Sequence, residues 1–191
     1  MELEKYISLI YDNVKISKNG VASKLSLEAY LKYPEDKRAK ALYEYFLKHE
    51  DKTNRKTQSF SFTPNEILDY LKEIEKKNEE ELQVLIPLIC NEIPTNHNGY
   101  FMPYYNPIAN QSLQKIEEFK SKLNQINNNT LKPCIDKMNA YIALEENYTK
   151  DYIEKCYIEA KKTKNRKIKK VVLFSFIVVI AIVVILIIIL R

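Results

Sequence analysis

Residues 171–190 read VVLFSFIVVIAIVVILIIIL, an apolar run of twenty positions relieved only by the hydroxyl of Ser175. At about 1.5 Å rise per residue a helix of this length reaches ~30 Å, the hydrocarbon thickness of a bilayer. The sequence therefore predicts a transmembrane helix here. Immediately before it, residues 161–170 read KKTKNRKIKK, whereas only Arg191 follows it. The positive-inside rule keeps that basic flank on the cytoplasmic side, which predicts a single-pass, tail-anchored protein with its N-terminus in the cytoplasm. The first twenty residues carry Glu2, Glu4, Lys5, Asp12, Lys15 and Lys18 and never assemble the apolar region of a cleavable signal.

Setting the anchor aside changes the meaning of the charge. The formal net charge is +5, but Lys161, Lys162, Lys164, Arg166, Lys167, Lys169, Lys170 and Arg191 account for eight of the 30 basic residues. The other 22 face all 25 acidic residues within 1–160, leaving about −3. A nucleic-acid surface is thus not indicated, because the basic patch lies where lipid headgroups would be. The expected partners are a bilayer, through anionic headgroups at the collar, and an unidentified protein.

Residues 1–160 suffice for one domain. With two glycines, no tryptophan and abundant Leu, Ile, Lys and Glu, they are expected to be all-α, a helical bundle-like cytosolic domain. Leu3, Tyr6, Ile7, Ile10 and Val14 form one helical stripe, with Asn19-Gly20 as its expected end. Leu25, Leu27, Tyr30 and Leu31 mark a short helix from Ser23 to Pro34, and Pro34 is expected in the first turn of the next, which carries Ala39, Leu42, Tyr45, Phe46 and His49. Residues 50–59 read as a polar linker, with a short extended piece expected over 58–62. Thr63-Pro64-Asn65-Glu66 has the residues of a capping box with proline at the first helical position, and Asn78 to Glu81 offers a second. Pro87 is expected to kink or split the helix that follows.

Residues 94–110, PTNHNGYFMPYYNPIAN, form the one long non-helical stretch. Its rings Tyr100, Phe101, Tyr104 and Tyr105 read either as a partner contact or as packing within the domain itself. A helix over 111–127, an interruption at Asn127 to Pro133 and a last helix with Ile135, Met138, Ile142, Tyr148, Tyr152 and Cys156 on one stripe complete the chain. That last helix is expected to run into the membrane.

The chemistry-bearing residues form no catalytic, cofactor or metal motif. His49 and His97 are the two histidines, and no glycine-rich phosphate loop exists. Cys90, His97, Cys134 and Cys156 have the donor types zinc takes but match no compact zinc spacing, so the cysteines read as reduced, buried thiols on helices. Glu79, Glu80 and Glu81, and Glu145 with Glu146, read as solvated helix faces or as partners of helix N-termini. No enzyme activity is expected. The collar reads either as a headgroup-binding patch, at ~1 kcal/mol for each basic residue near an anionic leaflet, or as a topological determinant alone.

A helical N-terminal region, a membrane-proximal helix, a basic collar and a C-terminal anchor together resemble the layout of SNARE proteins. The resemblance implies a fusion helix over 108–167 and a role in membrane fusion or vesicle traffic. Against it, Asn127-Asn128-Asn129 and Pro133 interrupt the segment, and Glu145 and Thr149 fall on the a/d seam after Met138 and Ile142. The other reading is a protein-interaction tether or adaptor displayed on a membrane. The apolarity of the anchor favours the endoplasmic reticulum and secretory pathway in a eukaryotic cell.

Overall fold

The computed structural model describes the backbone over residues 1–53, 62–101 and 109–189, with side chains except at 49–53, 109–110 and 177–189. All regular structure among the described residues is helical. The α-helices are α1 (Leu3–Lys15), α2 (Asn19–Lys32), α3 (Lys37–Thr53), α4 (Pro64–Ile74), α5 (Glu79–Glu92), α6 (Ala109–Leu123) and α7 (Lys132–Ile189), with a 3₁₀ turn at Asn129–Leu131 before the last. Two compact units divide the chain, Met1–Asn147 and Tyr148–Arg191.

The first unit buries one continuous core. α1 contributes the five expected side chains, Leu3, Tyr6, Ile7, Ile10 and Val14. It does not end at Asn19-Gly20, however. The chain reverses at Ser17 with φ 59°, and two bonds close the turn: Ser17 N–H donates to the Val14 carbonyl at 2.9 Å, and Lys18 N–H to Asn13 at 2.8 Å. This is the Schellman arrangement, here with serine in the left-handed position that glycine usually takes. Gly20, freed from that task, lies in the first turn of α2.

α2 also departs from the expected stripe. Its buried face is Asn19, Ala22, Ser23, Ser26 and Ala29, while Leu27 and Leu31 are exposed. Packed against both α1 and α3, it turns its small residues inward, which lets backbones approach closely and leaves Leu27 and Leu31 outside, while Leu25 packs half-buried against the core. Pro34 lies in the turn before α3 rather than in its first turn. Asp36 does the capping, accepting from Arg38 N–H at 2.9 Å, while the Arg38 guanidinium bridges Asp36 and Glu4. That guanidinium, through its hydrogen bond, holds the Asp36 carboxyl below its usual range.

Both capping boxes form. Thr63 accepts from Glu66 N–H while Glu66 accepts from Thr63 N–H at 2.8 Å, and Asn78 and Glu81 do the same at the start of α5. Each ties down two orphan donors of a helix end. Pro87 neither splits nor ends α5. A proline here forfeits only the bond to the Gln83 carbonyl, and Gln83 and Pro87 are both exposed, so water can take that acceptor. On the opposite face Leu82, Leu85, Leu88 and Ile89 are buried, and the Tyr11 hydroxyl of α1 donates to the Val84 carbonyl at 3.0 Å. Residues 58–61, where an extended piece is expected, lie outside the described residues. Phe62 is buried against Tyr45 and Tyr70, with ring centroids 6.5 and 6.2 Å away.

The interruption between α6 and α7 is fastened from outside. Asn127 N–H donates to the Glu75 carboxylate at 2.6 Å, and the Asn128 amide to the Glu75 carbonyl at 2.7 Å. Asn128 also caps the 3₁₀ turn by accepting from Thr130 N–H at 2.9 Å, and Leu131 is buried. α7 then buries Cys134, Met138, Tyr141, Ile142, Glu145 and Thr149. The expected stripe fails beyond Ile142, since Tyr148, Tyr152 and Cys156 are exposed.

The second unit consists of the remainder of α7. Val171, Val172, Leu173, Phe174 and Phe176 are exposed, and the Ser175 hydroxyl folds back onto the Val171 carbonyl at 2.9 Å. Among the described residues no helix is long and apolar enough to cross a membrane. Positions 177–190 of the expected span lie outside the described side chains.

Candidate functional site

The collar residues occupy consecutive turns of α7, and Lys161, Lys162, Lys164, Arg166, Lys167, Lys169 and Lys170 are all exposed. At about 100° per residue these seven positions spread around the whole circumference of the helix instead of lining one face. No carboxylate occurs from residue 161 onward. The segment is thus a sleeve of positive charge.

Of the aromatic residues, Tyr104 and Tyr105 lie outside the described residues. Tyr100 and Phe101 meet edge to face at 5.1 Å but have different surroundings. Phe101 is buried, with its ring 5.4 Å from Phe119 and 6.5 Å from Tyr141, whereas Tyr100 is 37% exposed. Together with Asn65, Lys115, Glu118, Phe119 and Lys122 they line a cleft of about 270 Å³. Three aromatic rings, the Lys115 and Lys122 ammonium groups and the Glu118 carboxylate thus border it.

The segment that carries these rings is clasped to α7. Glu145 Oε1 lies 2.9 Å from His97 Nδ1 and accepts from Asn98 N–H at 3.0 Å. The Tyr141 hydroxyl donates to the Asn98 side-chain oxygen at 2.8 Å, and Tyr100 N–H donates to the same oxygen at 3.1 Å. Burial, then the Glu145 carboxylate, push the Tyr141 phenol well above its ordinary range. Gly99 supplies the turn at φ 73°. Glu145 is fully buried, which corrects the expectation of a solvated face. Through Oε1 the Glu145 side chain anchors the loop to α7. Glu146, half-buried, pairs with Lys120 of α6 at 2.5 Å.

The cysteines divide three ways. Cys134 is buried, Cys90 half-buried and Cys156 exposed, so the expectation of buried thiols holds for Cys134 alone. All three are free, and the Sγ atoms of Cys90 and Cys134 stand 3.4 Å apart. Nothing in sequence announces that pair, since its members lie 44 positions apart on different helices. Among the described residues no three His, Cys, Asp or Glu side chains gather as a metal-holding group. Glu92, at the end of α5, is a further group the sequence does not single out: burial pushes its carboxyl up to about 7, against the opposing hydrogen bond from the Phe62 backbone.

No protein-family model matches the chain, nor does any curated protein or solved structure.

Proposed function

We propose that this protein is a membrane-anchored display domain, a tether or adaptor without catalysis. Residues 171–190 cross the bilayer, the sleeve 161–170 meets anionic headgroups on the cytoplasmic side, and the helical unit ahead of them binds a protein partner. The observation that carries the reading is the composition of α7. One helical element holds a core-forming portion, seven exposed basic side chains and the start of an unbroken apolar run whose first side chains are exposed. Exposed Val, Leu and Phe in succession are what a lipid-facing helix presents.

Display is supported over a fusion helix by how the 108–167 segment is used. α6 ends at Leu123, and Cys134, Met138, Tyr141 and Ile142 belong to the core of the protein's own first unit. A helix whose seam is already occupied has little left for partner helices. The cleft beside Tyr100 is the surface assigned to the partner.

The test begins with the full chain expressed in cells and extracted at alkaline pH. It is expected to stay with the membranes, and a chain lacking 171–190 to enter the supernatant; wild-type protein in the supernatant overturns the anchor. Sugar on Asn110, Asn128 or Asn147, each the first residue of an Asn-x-Ser/Thr acceptor sequence, overturns the cytoplasmic orientation. Affinity purification from detergent, run in parallel with Tyr100→Ala, tests the display reading. Recovery of a partner with wild type and its loss with an equally helical variant supports the cleft; equal recovery from both removes it.

A further inference from the structure

Cys90 and Cys134 meet where α5 ends and α7 begins. Their 3.4 Å separation exceeds a disulfide bond, about 2.05 Å, by an amount that small side-chain rotations of two unbranched residues can close. Access is unequal, with Cys90 half-buried and Cys134 buried. Lys137, one turn beyond Cys134, donates its ammonium to the Cys90 backbone carbonyl at 2.5 Å and so places a positive charge beside that thiol. Cys134 lies in the first turn of α7. Its own thiol can donate to the Cys90 sulfur or, at 3.8 Å, to the Ile86 carbonyl.

These neighbours separate the two thiols chemically. The hydrogen bond from Cys134 draws the Cys90 thiol down to about 7; burial opposes this and Lys137 assists it. The same hydrogen bond and then burial push the Cys134 thiol far upward. Of the two, Cys90 is the thiol that gives up its proton more readily. An accessible thiolate beside a protonated second thiol is the pairing found in reversible thiol oxidation, where one sulfur is oxidised and the other resolves it.

We propose that Cys90 and Cys134 are a redox modification site, closed to an intramolecular disulfide by hydroperoxide and reopened by a thiol reductant. In the first step the Cys90 thiolate attacks the terminal oxygen of hydrogen peroxide. An S–O bond forms, the O–O bond breaks, and the departing hydroxide takes a proton to leave as water, giving the sulfenic acid. In the second step the Cys134 sulfur attacks that sulfenic sulfur. The S–S bond forms, the S–O bond breaks, and the Cys134 proton leaves with the hydroxide as a second water. Two thiols have lost two electrons and two protons, and one peroxide has been reduced to two waters. Two equivalents of a small thiol reverse the reaction and become its disulfide. The product staples the last turn of α5 to the first turn of α7.

The experiment uses the full chain in detergent with limiting hydrogen peroxide, followed by peptide mapping without reduction. The expected result is a linked pair of peptides containing Cys90 and Cys134, two hydrogens lighter than the separate peptides and released by dithiothreitol, formed before the exposed Cys156 is consumed. In Cys134→Ser a Cys90 sulfenic acid is expected to persist and to be captured by dimedone. Should that variant fail to fold, the wild-type map still decides. Cys90 and Cys134 both recovered as free thiols after Cys156 has been oxidised overturns the proposal, as does a Cys90 oxidised without linkage to Cys134.

Discussion

Two portions of α7 share one helical element and a similar supply of Tyr and Ile, yet they meet different surroundings. Over 132–147, Met138 and Ile142 have no exposed surface and Tyr141 1%; beyond it Tyr157 is 69% exposed, Ile158 42% and Ile168 51%. Among the described residues the first portion lies in a unit with six other α-helices, whereas the second unit contains no element but α7 itself. A hydrophobic side chain stabilises a fold only where a second surface removes it from water, at roughly 25 cal/mol per Å². Apolar periodicity along a helix therefore shows that a core is available to be made and leaves open how far along the helix it extends.

Substitution should expose this difference most strongly. Ile142→Ala is expected to cost about 2–5 kcal/mol of unfolding free energy through lost burial and the cavity left behind, whereas Ile158→Ala should stay within about 0.5 kcal/mol. Urea denaturation of the detergent-solubilised chain measures both, and equal costs would erase the distinction. Next in size is oxidation of the Cys90–Cys134 pair. A closed loop of this length should raise the stability of the first unit by roughly 2–4 kcal/mol, seen as a higher denaturation midpoint that dithiothreitol lowers again.

A third change acts on the second portion alone. In a chain ending at residue 170, replacement of Lys161, Lys162 and Lys164 by Gln should weaken sedimentation with phosphatidylserine vesicles by ~2–3 kcal/mol, less at high salt. The melting temperature should stay where it was; a fall in melting would mean that these lysines serve the fold. The smallest effect belongs to Glu92, in the first unit. Its carboxyl titrates at about 7 in the folded chain against an ordinary 4.5, so the folded state holds the proton more tightly. Stability is therefore greatest below the ordinary value and declines as pH rises through 7, by about 1–2 kcal/mol once partial solvent screening is allowed for. Glu92→Gln should match wild type at about pH 4 and exceed it at about pH 8, in thermal melts followed by circular dichroism.

Which of these features could be read from the residues depended on how local their cause is. Both capping boxes and the stripe of α1 arise within four residues of their own chain, and each appears as expected. The turn at Ser17 misleads because a glycine stands close by at position 20, while serine takes the left-handed backbone. In α2 Leu27 and Leu31 point to one face and the packing uses another, since two neighbouring helices select small side chains where they come close. Glu145 and the thiol pair are harder still. The meaning of the carboxylate depends on His97 and Asn98, and that of Cys90 on Cys134, all more than forty residues away and linked by no motif.

The spread of basic side chains around α7 has a consequence for recognition. A helix with charge on one face must be turned toward its target, so a one-residue insertion ahead of it, rotating everything beyond by about 100°, would misdirect it. The sleeve at 161–170 is indifferent to azimuth. Whatever the angle at which α7 approaches a negatively charged surface, it offers much the same potential, and insertions or deletions between Asn147 and Lys161 should leave that attraction intact.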